Sequence, residues 1–164
     1  MPGRSIVAQT RLVFAATLYA FDGAGRVLLI RHPRLDVWCP PGGKIAPMEF
    51  PHEAALRECW EETGYQMHLL AMPAWPWLRP GEPPPPLAID VGPANGCHLI
   101  QLVYCGICGN RSGQGEENIP IRWVSLAELA KISLPDNVRE RYWQFRNLPT
   151  AGHCDWTTIP DFGE

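Results

Sequence analysis

The sequence predicts a mixed α/β or α+β fold in which strands and helices alternate around one core. The length of 164 residues suits a single domain, which we place over residues 1–164. Hydrophobic residues make up 46% of the chain and charged residues 19%, a composition that excludes a disordered or fibrous protein. Strand-like and helix-like segments interleave, and no repeat or linker divides the chain.

A hairpin opens the predicted fold. The apolar run 12–21 ends at the turn-forming residues 22–25, and 26–31 reads as the second strand. The first run is too short to span a membrane, so we interpret it as a buried strand. Residues 32–41 are predicted to be irregular.

A helix is predicted to begin at Pro51, run through Glu62 and end at Gly64. A strand over 65–72 follows. The next segment, 73–96, is predicted to be a stiff surface loop without regular structure, because residues 73–93 contain eight prolines.

In the second half of the chain, the sequence predicts two more strands and two helices. Residues 98–107 form a strand, 109–118 a loop, and 121–124 a short strand. Ser125 opens a helix whose capping box Glu128 completes. A last helix runs from Pro135 and Asp136 to about Phe145, and the tail over 147–164 is weakly patterned.

Net charge and cysteine content restrict the possible partners of the protein and the compartment in which we expect it. The 14 basic and 17 acidic residues give a net charge of −3, which argues against bulk nucleic acid or an anionic membrane as the partner. Residues 43–65 alone hold five acids and two bases, so this segment carries the whole net charge. The six cysteines follow no disulfide pattern, and we expect a reduced, cytoplasmic protein.

The acidic segment coincides with the first predicted helix. At 100° per residue, one sector about 100° wide holds three carboxylates: those of Glu58, Glu61 and Glu62. The opposite side, predicted to face the sheet, holds four residues: Leu56, Cys59, Trp60 and Thr63. Ala54 and Ala55 lie on the acidic side, where they would leave room for a ligand.

Clustered carboxylates are unfavourable unless a cation joins them. Like charges at this spacing cost about 0.2–0.5 kcal/mol per pair in an isolated helix. Oxygen ligands suit Mg²⁺, with Mn²⁺ as the alternative ion. Arg57 is predicted to pair with Glu49, tying down the preceding loop and leaving the three helix glutamates free for metal. Gly42 and Gly43 permit close backbone approach, and Gly42 offers a carbonyl oxygen as a further ligand.

These residues closely resemble the signature of the Nudix hydrolase family. Every fixed position of that signature is filled by a residue of this chain: Gly43, Glu49, Arg57, Glu58, Glu61, Glu62 and Gly64. Such a match arises by chance with a probability on the order of 10⁻⁹ per starting position. Cys59 and Tyr65 occupy the apolar positions, a little atypically. The resemblance extends over about 11–145, where we place the core.

The resemblance implies a helix–sheet–helix sandwich around a mixed sheet. It also implies Mg²⁺-dependent hydrolysis of a pyrophosphate bond in a nucleoside diphosphate derivative, either a nucleoside triphosphate or an ADP-sugar such as ADP-ribose. The glutamates of the motif would bind metal and Arg57 would orient them. Pro80 lies 16 residues after Gly64, as in ADP-ribose-specific members, which favours that substrate slightly.

The general base is left open between Glu62 and a glutamate of the loop 109–118. The family commonly takes a metal ligand or base from this loop. Its only acids here are Glu116 and Glu117. We prefer Glu117, which stands six residues before Trp123, a spacing similar to that in triphosphate-cleaving members.

Two other functions are weighed. One is a nucleotide-binding domain of this family that has lost hydrolysis. The other is a zinc or redox module built on Cys105 and Cys108, which we disfavour because a single CxxC is weak evidence and a continuing strand would point the two thiols to opposite faces.

The predicted partner is a small nucleotide, with a homodimer left open. The residues assigned to nucleotide contact are Trp38, Trp75, Trp77 and Lys44. Of these, the tryptophans would either stack on the base or simply pack beneath the proline-rich loop.

Overall fold

The computed structural model describes residues 11–70, 79, 82–94 and 96–147. The described part contains eight strands: β1 (Arg11–Phe21), β2 (Val27–Arg31), β3 (Trp38–Cys39), β4 (Gly42–Lys44), β5 (Tyr65–Leu69), β6 (Ala88–Ala94), β7 (Cys97–Arg111) and β8 (Ile121–Val124). It also contains three helices: α1 (Pro51–Thr63), α2 (Leu126–Leu129) and α3 (Asp136–Arg146).

One mixed sheet contains all eight strands, and its centre is the parallel pair β1 and β7. The register of this pair runs from Arg11 opposite Cys97 to Phe21 opposite Ile107. On one side, β1 pairs antiparallel with β2 and β4, and β2 pairs with β3 and β8. On the other side, β5 and β6 both pair antiparallel with β7, along different parts of its length.

The sheet is covered on both faces, so the predicted helix–sheet–helix sandwich is confirmed. On one face, α1 packs through small side chains, with Ala54, Ala55 and Cys59 against Ala16 and Ala20. On the opposite face, α3 packs through large rings, and Tyr142 and Phe145 contact Tyr19 and Phe21.

The hairpin, the helix boundaries and the capping box at Ser125 follow the sequence prediction. Helix α1 begins at Pro51 and is capped by Gly64, whose φ of 74° is the left-handed conformation that glycine favours. Ser125 and Glu128 form the capping box of α2. No helix in the described part of the chain is long and apolar enough to cross a membrane.

Three predictions of irregular structure were wrong. Residues 32–41 contain the short strand β3, which forms because Trp38 and Cys39 pair with the end of β2. The expected loop over 73–96 contains β6, because the proline cluster ends before Ala88 and only Pro93 falls within the strand. Pro93 is tolerated there since the described contacts pair β6 with β7 alone, so it is an edge strand. Strand β7 also runs to Arg111, which shortens the following loop to residues 112–120.

The long strand β7 also argues against the zinc or redox interpretation. Cys105 is buried in the core on the α3 side, and Cys108 is buried in the core on the α1 side. The two thiols therefore lie on opposite faces of the sheet and cannot hold one ion or form one disulfide.

Candidate active site

Helix α1 faces the sheet with part of the side predicted and with two further residues. Cys59 and Thr63 are buried as expected, and Leu56 is partly buried against the same core. Ala54, Ala55, Cys59 and Thr63 are its buried residues, whereas the side chain of Trp60 is 45% exposed. The prediction that Trp60 faces the sheet, and that the two alanines flank a ligand, was wrong. Small residues let the helix backbone approach the sheet, and Glu58 and Glu62 therefore lie within the arc that faces it.

Glu62 is the most desolvated carboxylate of the cluster. Its Oε2 atom accepts a hydrogen bond from the Gly42 N–H at 3.0 Å. Burial raises the pKa of Glu62 to about 7, the Gly42 hydrogen bond opposes this rise, and the charges of Glu58 and Glu116 add to it. A carboxyl group that titrates near neutral pH is suited to accept a proton during catalysis.

Glu58 rests against the backbone of β4. A Cβ atom on Gly43 would lie 2.3 Å from the Glu58 Cδ atom, so only glycine leaves space for this carboxylate. Burial raises the pKa of Glu58, and the adjacent Arg57 guanidinium partly offsets that effect. The glycine predicted to permit close approach thus forms one wall of the site.

Arg57 joins the glutamates through a network of ion pairs. Its Nε donates to Glu49 Oε1 at 2.6 Å and its Nη2 to Glu49 Oε2 at 2.9 Å, so the predicted pair is present. This pairing lowers the pKa of Glu49. The Nη1 atom also donates to Glu58 Oε1 and Glu61 Oε2, both at 2.9 Å. The expectation that Arg57 leaves these glutamates free was therefore wrong.

The donor set fits a hard divalent cation after a local rearrangement. Among the described residues, no three acidic, histidine or cysteine side chains lie close enough together to hold a metal ion as they stand. Glu58 and Glu62 nevertheless lie beside the Gly42–Gly43 backbone, and the charge on each is disfavoured by burial. A cation would relieve that cost, provided that Glu58 and Glu61 exchange part of their contact with Arg57 for the ion.

The loop acids differ in their position. Glu116 lines a pocket of about 320 Å³ together with Trp60, Glu61 and the 113–115 backbone, and its charge contributes to the raised pKa of Glu62. Glu117 is exposed. The described contacts therefore bring Glu116 to the site, while a role for Glu117 stays a prediction.

A second pocket, of about 130 Å³, lies on the α3 face, where β6 and β7 meet the start of that helix. Three polar side chains line it: Asp90, Gln101 and Asn137. The sequence interpretation missed this pocket because it placed Asp90 in a loop. The only sequence feature that pointed to this pocket was the Asp136-Asn137 pair at the start of α3.

The two sites are connected through buried Thr17. The Gln101 side-chain amide donates to Thr17 Oγ1, and a Cβ on Gly42 would lie 2.8 Å from that same oxygen. Gly42 in turn donates to Glu62. Thr17 therefore lies between Gln101 of the second pocket and the Gly42 backbone that contacts Glu62.

Of the four residues predicted to contact the nucleotide, the structure describes two, Trp38 and Lys44. Trp38 packs against the core on the α3 side, and the Arg31 guanidinium lies 5.6 Å from the centre of its ring, so that ring face is covered. Lys44 is exposed at the end of β4, next to the carboxylates. Trp75, Trp77 and Pro80 lie outside the described residues.

Comparison with known proteins agrees with this geometry. The NUDIX domain family model matches residues 11–147. A putative 8-oxo-dGTP diphosphatase of Bacillus subtilis (strain 168) is 29% identical over 125 residues, which cover 76% of this chain and 74% of the relative.

Solved structures share the fold. A Nudix-family hydrolase from Clostridium perfringens superposes with a TM-score of 0.68 at 20% identity, covering 80% of this chain and 93% of the other. The MutT protein of Methanosarcina mazei Go1 superposes with a TM-score of 0.64 at 22% identity, covering 85% and 98%.

Proposed function

The chain belongs to the Nudix hydrolase family, and on that premise we propose that it hydrolyses a pyrophosphate bond in a nucleoside triphosphate, with Mg²⁺ as its cofactor. The observation that carries the proposal is the complete acidic motif around a desolvated Glu62 that hydrogen-bonds Gly42. A helix face of solvated glutamates, as in an ordinary surface helix, would place no carboxylate against glycine backbone.

Glu58, Glu61 and Glu62 are the residues proposed to hold the cation, with the Gly42 carbonyl oxygen and a loop glutamate as further donors. Mg²⁺, or Mn²⁺ in its place, would neutralise the pyrophosphate and stabilise the charge that develops on its oxygens. Lys44, exposed beside this group, is proposed to contact a phosphate as a point charge.

Glu62 is our choice for the general base. Its Oε2 is fixed by the Gly42 N–H, and we assign its Oε1 to take the proton of the attacking water. In the metal-free protein, burial raises the pKa of Glu62 to about 7, so this carboxylate is more basic than a solvated one.

Arg57 is proposed to position the carboxylates rather than to bind substrate. Its two parallel hydrogen bonds to Glu49 fix the plane of the guanidinium, and the remaining N–H groups of that plane then orient Glu58 and Glu61. A lysine at this position could not reproduce three oriented contacts.

We propose that the nucleoside part of the substrate binds in the pocket lined by Asp90, Gln101 and Asn137. Amide and carboxylate groups together offer the donors and acceptors that distinguish one purine from another. With the nucleoside there, the phosphates are proposed to reach the acidic motif around Glu62. The name of the Bacillus relative makes 8-oxo-dGTP the first substrate to test, with ADP-ribose as the competing class.

Further parts of the proposal concern the setting of the enzyme. We propose one domain over residues 1–164, a cytoplasmic location and no nucleic-acid or membrane partner, in keeping with the net charge of −3 and the cysteine pattern. Homodimer formation is tested separately, by sedimentation of the purified protein.

A nucleotide panel tests the activity. Nucleoside triphosphates, 8-oxo-dGTP and ADP-ribose are incubated with Mg²⁺, and released phosphate and pyrophosphate are measured separately. We expect monophosphate and pyrophosphate from one triphosphate, and a KM that rises about tenfold in Asn137→Ala at little cost to kcat. Preferred hydrolysis of ADP-ribose would overturn the substrate proposal, and inactivity on the whole panel would overturn the proposed hydrolysis of these substrates.

A further inference from the structure

The loop that follows β7 is docked against the C-terminal end of α1. The backbone N–H groups of Ser112 and Gly113 both donate to the Gly64 carbonyl oxygen, each at 3.0 Å. From the helix, the indole Nε1–H of Trp60 donates to Ser112 Oγ at 3.1 Å. Three hydrogen bonds therefore join the first residues of the loop to the end of the helix.

Glycines form the surface where loop and helix meet. A Cβ on Gly113 would lie 3.2 Å from the Trp60 indole, and a Cβ on Gly64 would lie 2.2 Å from the Gly113 carbonyl oxygen. A Cβ on Gly115 would lie 2.8 Å from the Glu62 carbonyl oxygen. The two backbones approach so closely that a side chain at any of these positions would force them to shift.

Glu116 carries the first side chain after this docked backbone. It shares the 320 Å³ pocket with Trp60 and Glu61. A carboxylate at the end of an undocked loop would sample many positions, and ordering it during catalysis would cost conformational entropy. The docking supplies that order before substrate arrives.

We propose that Trp60 is a positioning residue, which holds the 112–116 segment so that Glu116 stays in one pocket with Glu61 and can supply a further carboxylate to the cation. The inference rests on the proposed hydrolysis and adds to it a residue at a position where the family signature accepts any amino acid. Trp60, whose side chain is half-exposed, acts through the loop that it holds.

Trp60→Ala and Trp60→Phe test the docking, with Trp143→Ala as the matched control. Trp143 lies on α3 and is 47% exposed, close to the 45% of Trp60. We expect Trp60→Ala to lower kcat about tenfold, to weaken Mn²⁺ binding measured without nucleotide, and to speed amide hydrogen exchange at Gly113 and Gly115. Trp60→Phe keeps the ring and loses only the N–H, so its effects should be smaller. Trp143→Ala should change none of the three.

A double-mutant cycle with Glu116→Gln shows whether Trp60 acts through Glu116. We expect Glu116→Gln alone to lower kcat and Mn²⁺ affinity about as much as Trp60→Ala does. In the Glu116→Gln background, Trp60→Ala should then cost little more, because the carboxylate that it positions is already lost. Additive losses, or a silent Glu116→Gln, would overturn the inference.

The outcomes separate this inference from the proposed function. If the parent protein hydrolyses none of the panel, that proposal fails, while amide exchange and Mn²⁺ binding still decide the role of Trp60. Parental exchange rates and parental Mn²⁺ affinity in Trp60→Ala would overturn the positioning role even in an active enzyme. Equal effects of Trp60→Ala and Trp143→Ala would overturn it too, since they would show a general loss of stability.

Discussion

The two faces of the sheet are built on opposite principles. On the α3 face, the Tyr142 ring lies 4.7 Å from that of Tyr19 and 5.8 Å from that of Phe21, in edge-to-face contacts that bury large apolar areas. On the α1 face, the helix contributes only small buried residues, such as Ala54 and Ala55, to a core that the sheet completes with small and large side chains. The α3 face contributes mainly to the stability of the fold, whereas on the α1 face the helix backbone lies close to the sheet.

The close approach of α1 to the sheet is what buries the glutamates of the candidate site. Large side chains would hold α1 away from the sheet, and Glu58 and Glu62 would then be solvated. Small ones bring Glu58 against Gly43 and Glu62 against Gly42, where burial raises both pKa values. The difference teaches that substitutions on the α1 face should change activity more than stability, and those on the α3 face the reverse.

Glu62→Gln should have the largest effect on activity. The amide keeps the size of the side chain but removes both the metal-binding charge and the basic oxygen, so we expect kcat to fall by about 10²–10⁴. Glu61→Gln should lower it by a smaller factor. Both variants should fold, and urea unfolding should show unchanged or increased stability because carboxylate repulsion is relieved. Full activity in both would remove the metal assignment.

The same variant should flatten the pH dependence of stability in metal-free protein. The pKa of Glu62 rises from 4.5 to about 7 on folding, so the protonated group favours the folded state. That contribution is complete below about pH 4.5 and is lost as pH rises through 7. Urea unfolding from pH 5 to 8 should therefore show the parent losing stability relative to Glu62→Gln. Parallel curves would contradict the buried placement.

Arg57→Lys should come second in its effect on activity. The ammonium group keeps the charge but not the planar fork that contacts Glu49, Glu58 and Glu61 together, and we expect kcat to fall more than tenfold. Arg122→Lys is the control, because Arg122 makes a single exposed ion pair with Glu128. An Arg57→Lys enzyme equal to the parent would mean that only net charge matters at this position.

Gly43→Ala adds one methyl group and so tests directly the close approach of Glu58 to the β4 backbone. The new Cβ would lie 2.3 Å from the Glu58 Cδ atom, so the carboxylate must move. We expect weaker Mn²⁺ binding and a loss of about tenfold in kcat, since a displacement of about 1 Å can cost far more than its strain. Gly92→Ala is the control for metal affinity, because nothing lies within 4 Å of a Cβ there and Gly92 lines the second pocket instead of the acidic motif. Unchanged metal affinity in Gly43→Ala would show that Glu58 is not a ligand.

Tyr142→Phe should have the smallest effect on activity and act on stability alone. The Tyr142 hydroxyl is fully buried and donates to the Leu28 carbonyl oxygen at 2.8 Å. Its removal leaves that oxygen without its partner and should lower the free energy of unfolding by about 1–3 kcal/mol. The kcat of the folded enzyme should stay at the parental value. A reduced kcat would show that the two faces are coupled.

The sequence was most informative where local chemistry determines structure. Pro51 and Gly64 bound α1 as predicted, and Ser125 with Glu128 caps α2, because these preferences depend on a few neighbouring residues. Strand β6 was missed because proline content was averaged over a long segment, while an edge strand tolerates Pro93 when the other ladder residues can pair.

The site was predicted in its residues but not in its orientation. The motif identified the glutamates and the Arg57–Glu49 pair. The helical wheel then placed the charged side opposite the sheet, toward a ligand, because it assigns the apolar residues to the core. The structure turns Glu58 and Glu62 toward the sheet, a choice made by the small residues of another strand. The contact between Trp60 and Ser112 joins residues far apart in the chain, and no local pattern could reveal it.

The central pair of strands has a consequence for how the enzyme folds. Parallel pairing of β1 with β7 brings residue 11 against residue 97 and residue 21 against residue 107, so the ladder closes only after most of the domain has been synthesised. Such non-local topology is typical of folding on the order of milliseconds to seconds. The motif helix can form early, but its carboxylates meet the glycine strand β4 only when β1 is in place. During synthesis on the ribosome, catalytic competence should therefore arise late, with the emergence of β7.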